Sequence, residues 1–304
     1  MEILFLGTGA SLPSRNRSTS CIALRSGSDI ILMDCGEGSQ RQLMISPFSF
    51  MKIRAVLITH VHGDHILGLP GLLQTMGLLG RKDPLMICGP KGFAAPLKAI
   101  MDATEGETEY PVEVVEADHG NEFSVCKMKV SVFGTDHGLP SVGFIVSEPD
   151  SPGKLDRGKA LSLGIKDGPD MARLKRGETV KGILPEQVVG PIRRGIRVAY
   201  TGDTRSTSAI ADAIGDVDAL IHESTYMSSE TSLADSHFHS TALQAAATAK
   251  EAGVRYLFLT HISNRYDDCR DSLLEEAKAV FSETILADDF DRYEITNRAA
   301  RKMD

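Results

Sequence analysis

The chain has 304 residues, 42% of them hydrophobic, and a net charge of −8. That acidity argues against a protein that simply coats nucleic acid, and no apolar run approaches the ~18 residues of a membrane span, so neither a spanning helix nor a signal peptide is expected. The five cysteines are scattered and contain no Cys-x-x-Cys pair, which points to reduced thiols in a cytoplasmic protein and leaves histidine and carboxylate to hold any metal.

Apolar runs near 3–6, 21–24 and 30–33 read as strands. Between the first two lies Pro13-Ser14-Arg15-Asn16-Arg17-Ser18-Thr19-Ser20, a short basic segment that suits either a polar turn or a phosphate-contacting loop. A strand is expected over 55–59, and Thr59-His60-Val61-His62-Gly63-Asp64-His65 begins where it ends. His60 and His62 alternate with Val61 and face one way if extended geometry continues. Past the turn at Gly63, Asp64 and His65 reach a point about 3.5–4 Å away, the spacing of a two-metal hydrolytic site. Imidazole with carboxylate suits zinc ahead of manganese or iron.

Helices are expected near 37–45, 66–79 and 91–103, and strands near 85–88, 112–115, 123–132 and 142–146. Two histidines, His119 and His137, sit in Asp-His-Gly contexts on either side of the run at 123–132. From Ser151 to Arg197 eleven basic residues face five acidic ones, +6 locally against −14 elsewhere, with Pro152-Gly153, Gly168-Pro169 and Gly190-Pro191 interspersed. This reads as a basic arm, approximately 151–195, inserted into one domain spanning 1–304.

Strands near 196–200, 218–222, 255–260, 284–287 and 292–296, with helices near 206–214, 241–252 and 270–281, complete the chain. Asp203, Glu223 and His261 all follow the ends of apolar strands. His239 precedes a helix whose Thr241 and Gln244 have capping-box spacing. It is therefore held firmly, and Glu223 can orient it in the base-and-orienter geometry of proton-transfer catalysts. The alternative is that His222, Glu223 and His239 only support metal ligands. His237 lies nearby with nothing in its spacing to mark it. Strands and helices in two successive groups suit two sheets packed face to face with helices outside.

The 59–65 loop resembles the signature of the metallo-β-lactamase superfamily. Members complete a two-metal site with a third histidine, a bridging carboxylate and a last histidine from later in the chain. Here those positions fall to His137, Asp203 and His261; His137 is favoured over His119 because the other ligands sit at strand ends. Further stretches match in order over nearly the whole chain: Leu6-Gly7-Thr8-Gly9, Asp34-Cys35-Gly36-Glu37, Gly68-Leu69-Pro70-Gly71, Tyr200-Thr201-Gly202-Asp203-Thr204-Arg205, His222-Glu223, His239-Ser240-Thr241 and Leu259-Thr260-His261-Ile262-Ser263. Together they resemble the ribonuclease Z family, the tRNA 3′-processing endonucleases, in its short form.

The resemblance implies an α/β fold, the metallo-β-lactamase αββα sandwich, with an arm that grips the tRNA body. It implies two zinc ions per subunit, one on His60, His62, His137 and Asp203, the other on Asp64, His65, His261 and Asp203. It implies a homodimer acting on precursor tRNA, leaving a 3′-hydroxyl on the tRNA and a 5′-phosphate on the trailer. In this picture Asp64 adjoins the attacking water, and His239, steered by Glu223, protonates the leaving oxygen. The family's proline-lysine-arginine-asparagine pattern is shortened at 13–20, so no role is carried onto Arg15 or Arg17. Two rivals are a superfamily hydrolase for small substrates and a non-catalytic RNA-binding relative. The basic arm and His239-Ser240-Thr241 argue against the first, and the full set of ligand positions against the second.

Overall fold

Most strands are apolar on both faces. In β1 (Glu2–Gly7) Ile3 and Phe5 point into one buried core, Leu4 and Leu6 into another, the pattern of a sheet covered on both sides. The structure, a computed structural model, describes residues 1–303. After β1 come β2 (Cys21–Ser26), β3 (Asp29–Met33), β4 (Ile53–Leu57), β5 (Leu85–Pro90) and β6 (Val112–Ala117). A second group follows: β7 (Glu122–Val125), β8 (Met128–Gly134), β9 (Val142–Ser147), β10 (Arg197–Tyr200), β11 (Ala219–Glu223), β12 (Tyr256–Thr260) and β13 (Thr284–Leu286). The chain then returns to the first sheet with β14 (Arg292–Ile295) and β15 (Ala300–Met303).

The eight-stranded sheet has the order β15-β14-β1-β2-β3-β4-β5-β6, and the seven-stranded sheet the order β13-β12-β11-β10-β9-β8-β7. Strands β3 to β6 are mutually parallel, as are β10 to β13. Phe5, Leu57, Val132, Phe144, Tyr200 and Phe258 share the core between the sheets. The outer face of the first sheet is covered by helices Ser39–Ile45, Leu69–Leu78 and Ala94–Ala103 through Leu43, Leu72, Met76 and Leu97. Helices Ser208–Ile214, Ala242–Ala252 and Arg270–Lys278 cover the second through Ile210, Ala245, Ala249 and Leu273. This is the expected αββα sandwich.

Three local expectations are corrected. The strand expected over 55–59 ends at Leu57, because the Thr59 N–H turns to the Asp34 carboxylate at 2.8 Å instead of a neighbouring strand. The run at 123–132 is a hairpin, β7 and β8, turning at Cys126 with φ 53°; no glycine or asparagine marks that turn, so apolar alternation reads straight through it. The helix expected over 66–79 is two pieces, Gly63–Ile66 and Leu69–Leu78.

Residues Glu148–Gly195 form a compact unit of their own, inserted between β9 and β10. Short helices Arg157–Ser162, Pro169–Lys175 and Pro185–Val188 enclose a small core of Ala160, Ile165, Met171, Leu174, Val180 and Val188. The Asp156 carboxylate caps the first helix by accepting the Lys159 N–H. Periodicity does not reveal helices this short.

Candidate active site

The site is assembled from loops that leave the ends of β3, β4, β8, β10, β11 and β12. Two glycines let these loops touch. A Cβ on Gly36 would lie 2.1 Å from the Asp64 carbonyl oxygen, and one on Gly202, at φ 60°, would lie 2.6 Å from the Thr59 side chain. Four non-glycine residues of these and the adjoining loops, Ser11, Asp34, Phe238 and His261, also have φ between 55° and 60°. Backbone strain of this kind concentrates where function over-determines geometry.

All seven ligand candidates converge. His60 Nε2 lies 3.1 Å from His62 Nδ1, which is 3.2 Å from His137 Nε2, and Asp203 Oδ2 is 3.7 Å from His60 Nε2. On the other side Asp64 Oδ2 lies 3.5 Å from His65 Nε2 and 3.3 Å from His261 Nε2. Asp203 stands between the groups, its Oδ2 3.4 Å from His65 Nε2 and its Oδ1 3.4 Å from His261 Nε2. A tetrahedral ion with ligands at about 2.0–2.1 Å has ligand–ligand edges of about 3.4 Å, so the spacings fit. Two buried atoms in this cluster, His65 Nε2 and Asp203 Oδ1, have no hydrogen-bond partner. Orphaned and buried among the imidazoles and carboxylates of the cluster, they fit a divalent cation.

The protonation states of His60, His62 and Asp203 agree with ligation. Burial, with His65 nearby, holds the His60 pKa well below the usual imidazole value, and burial lowers His62 as well. Burial tends to raise Asp203, but His261 and His65 outweigh it and keep the carboxylate ionised. Burial disfavours a charged His65, yet Asp203 and Asp34 pull a proton onto it; the same pull acts on a metal cation. Neutral imidazole and ionised carboxylate are the ligating forms.

The other ring nitrogens of four of these histidines are held. Thr59 Oγ1 lies 3.0 Å from His60 Nδ1, Asp34 Oδ2 2.7 Å from His65 Nδ1, the Phe238 carbonyl 3.0 Å from His137 Nδ1, and Thr225 Oγ1 2.8 Å from His261 Nδ1. Asp34 also accepts from the Tyr200 hydroxyl at 2.8 Å. These partners orient the rings and were missed by sequence reasoning, although Asp34 had a signal, an acid directly after an apolar strand. Replacing Asp34 by alanine frees the His65 ring and is expected to weaken metal binding by about 10–100-fold. Chelator competition measures this, and unchanged affinity refutes it.

His239 Nδ1 lies 2.9 Å from Glu223 Oε1. Glu223 is fully buried and accepts from the Thr204 N–H at 2.9 Å and the Thr225 hydroxyl at 2.6 Å. Burial works to lower the His239 pKa, but the Glu223 charge and hydrogen bond lift it to about 9. The expected capping box forms at Thr241 and Gln244. A cleft of about 390 Å³ opens over the cluster, lined among others by Ser11, Thr19, Glu37, Asp64, Asp203 and His239.

The remaining candidates lie apart from the cluster. His119 is exposed and accepts the Gly134 N–H at 3.3 Å. His222 is buried with Nδ1 2.7 Å from the Glu223 carbonyl, and His237 pairs with the Tyr226 hydroxyl at 3.1 Å. Arg15 is exposed, whereas Arg17 is buried and donates to Thr8 Oγ1, the Ala287 carbonyl and Asp288. Arg17 thus ties the 13–20 loop to the C-terminal turn and does not face the cleft.

Residues 1–151 match a family model described as Anti-Pycsar protein Apyc1, and residues 175–262 one described as Beta-lactamase superfamily domain. The chain is 40% identical to Ribonuclease Z of Methanosarcina acetivorans over 98% of this chain and 99% of that protein. It is 42% identical to Ribonuclease Z of Archaeoglobus fulgidus over 97% of this chain and 98% of that protein. Among solved structures, human tRNase Z, short form, matches at TM-score 0.70 and 29% identity, covering 97% of this chain and 100% of that chain. The metallo-beta-lactamase fold protein YhfI from Bacillus subtilis, at TM-score 0.71 and 20% identity over 96% of this chain and 99% of that chain, shares the fold. With near-full-length identity at this level joined to the αββα sandwich and its histidine–aspartate cluster, the chain belongs to the ribonuclease Z family.

Proposed function

We propose that this chain is a zinc-dependent endoribonuclease that removes 3′ trailers from precursor tRNA in the cytoplasm. The observation that carries the reading is the convergence of seven ligand side chains around the orphaned His65 Nε2 and Asp203 Oδ1, with His239 and Glu223 at the same cleft. His60, His62, His137 and Asp203 would hold one zinc, and Asp64, His65, His261 and Asp203 the other. When bound, two such ions acidify a water and offset charge on the phosphoryl oxygens.

The chain's own groups then divide the work. Asp64 lines the cleft and is kept ionised: burial opposes this, but the His261 and His65 imidazoles beside it prevail. It orients the attacking water. As the bond between phosphorus and the 3′ oxygen breaks, His239 gives its proton to that oxygen, and Glu223 stabilises its charged form. The tRNA keeps a 3′-hydroxyl and the trailer a 5′-phosphate. Incubating the zinc-loaded protein with a 3′-extended tRNA and mapping both new ends tests the reading. Absence of cleavage at the trailer junction, or a 3′-phosphate product, overturns it.

The inserted unit supplies the grip on the tRNA body in this reading. Arg197 of β10 stands opposite Ser147 of β9, so a Gly-Ser turn of about 2–5 residues can replace Glu148–Gly195 and close the hairpin. Each lysine or arginine contact to phosphate lost this way is expected to reduce the slope of log affinity against log salt by about 0.9. Pre-tRNA binding should weaken and its salt dependence flatten, while hydrolysis of bis(p-nitrophenyl) phosphate persists. Unchanged pre-tRNA binding removes the unit from the substrate path.

A homodimer is part of the same proposal. The adjoining helices Ser39–Ile45 and Leu69–Leu78 and their flanks expose the large apolar side chains Met44, Ile45, Leu67, Leu78 and Leu79, which a partner subunit would cover.

A further inference from the structure

Three loops each carry one residue of the site: His137 after β8, Asp203 after β10, and His239 before helix Ala242–Ala252. In each loop a residue one or two positions away belongs to a single cluster centred on Arg205. The guanidinium makes a two-pronged contact with Asp136, Nε to Oδ2 at 2.9 Å and Nη2 to Oδ1 at 3.1 Å. Its Cζ lies 4.3 Å from the centre of the Phe238 ring. The same loops are stitched through their backbones. The Arg205 N–H donates to the Asp136 carbonyl at 2.9 Å, the Asp136 N–H to Thr204 Oγ1 at 2.9 Å, and Ser240 Oγ to the Thr204 carbonyl at 2.7 Å.

The clamp bears directly on the cluster. Phe238 adopts φ 60°, which a bulky side chain disfavours. In that conformation its carbonyl meets His137 Nδ1 at 3.0 Å. Something must hold Phe238 there; the Arg205 guanidinium stacks on its ring, and Gly138 lies close enough that a Cβ added to it would come within 3.5 Å of that ring. The ion pair itself is partly exposed, with side-chain exposures of 36% and 40%. Pairs this exposed add little to global stability, so a geometric role accounts for it better than a stabilising one.

We infer that Arg205 is a positioning residue that, through Asp136 and Phe238, locks His137 and His239 in place against Asp203. The inference rests on the reading that His137 and Asp203 hold the same ion. Lysine cannot reproduce it, since a point charge lacks the planar fork and the stacking face.

The test uses full-length Arg205→Ala, Arg205→Lys and Asp136→Asn, with affinity for each of two zinc ions measured by chelator competition and the visible spectrum of the cobalt-substituted protein. Loss of an outer partner of a ligand histidine typically costs about 10–100-fold. Acting one residue further out, Arg205→Ala should weaken one ion by about 10-fold, leave the other within about 2-fold, and change the cobalt bands. Arg205→Lys should behave like Arg205→Ala. Asp136→Asn, nearly equal in volume, should reproduce the defect, and the double variant should be no worse than either single one. With bis(p-nitrophenyl) phosphate, kcat should fall and KM stay within about 2-fold. These readouts hold whether or not pre-tRNA is the substrate. Normal affinity for both ions with a raised KM for pre-tRNA alone makes Arg205 a phosphate contact and overturns the proposal. Normal affinity and normal kinetics reduce it to a surface ion pair and overturn it too. Should Arg205→Ala fail to fold, Asp136→Asn decides between the same outcomes.

Discussion

Asp203→Ala is expected to lose metal from both halves of the site at once. Its carboxylate reaches both proposed ligand sets, Oδ2 toward His60 of one and His65 of the other, and Oδ1 toward His261 of the second. The carboxylate is buried and held ionised by the histidines around it. Removing it leaves those imidazoles without the charge that balances two dications. The loss in affinity should exceed the roughly 10–100-fold typical of an outer partner, and hydrolysis of both pre-tRNA and small phosphodiesters should disappear with it. His261→Ala, which touches one ligand set, should mainly weaken one ion. Elemental analysis of the purified variants measures both. Two tightly held ions in Asp203→Ala, or equal loss in both variants, contradicts a bridging role.

His239→Ala is expected to keep its metals and lose roughly 10²–10⁴-fold in cleavage, the range for a general acid or base. Here kcat separates proton transfer from metal holding. His239 Nδ1 is 3.9 Å from Asp203 Oδ2, farther than the His60, His65 and His261 nitrogens, and 2.9 Å from Glu223. An acid must be protonated to act, so the wild-type rate should fall on the alkaline side as His239 loses its proton. Bound dications repel that proton and place this limb at or below the value of about 9 that Glu223 and burial set. The limb should be absent in His239→Ala. A variant that cleaves pre-tRNA at the wild-type rate assigns His239 to the supporting shell, where it began as the alternative.

Much of the site is legible because its signals are local. His60, His62, Asp64 and His65 fall within one turn of chain after an apolar strand, so spacing alone brings them near one another. Strand-end position also selected His137 over His119. The structure gives the physical reason: the β8–β9 loop lies against the Phe238 carbonyl, whereas His119 sits at the exposed start of the β7–β8 hairpin. Less legible were the groups that act across sequence distance. Asp34 reaches Tyr200 over 166 positions, and Arg17 reaches Ala287 over 270. Arg17 shows this most plainly: the short basic loop assigned it no role, and only burial against Thr8, Ala287 and Asp288 makes the side chain an internal tie.

The sequence by itself determined the layered α/β fold, the side chains that gather in the histidine–aspartate cluster and the capped helix behind His239, because these follow from periodicity, from neighbours a few residues apart and from position at strand ends. The tertiary structure alone decided which nitrogen of each histidine faces the cluster, which carboxylate lies between the two ligand sets, and which residues hold the ligands still. Those choices depend on parallel strands such as β3 with β4 and β10 with β11 and β12 releasing their loops side by side. Hydrogen bonds of about 2.7–3.0 Å are then set by atoms that chain distance does not relate.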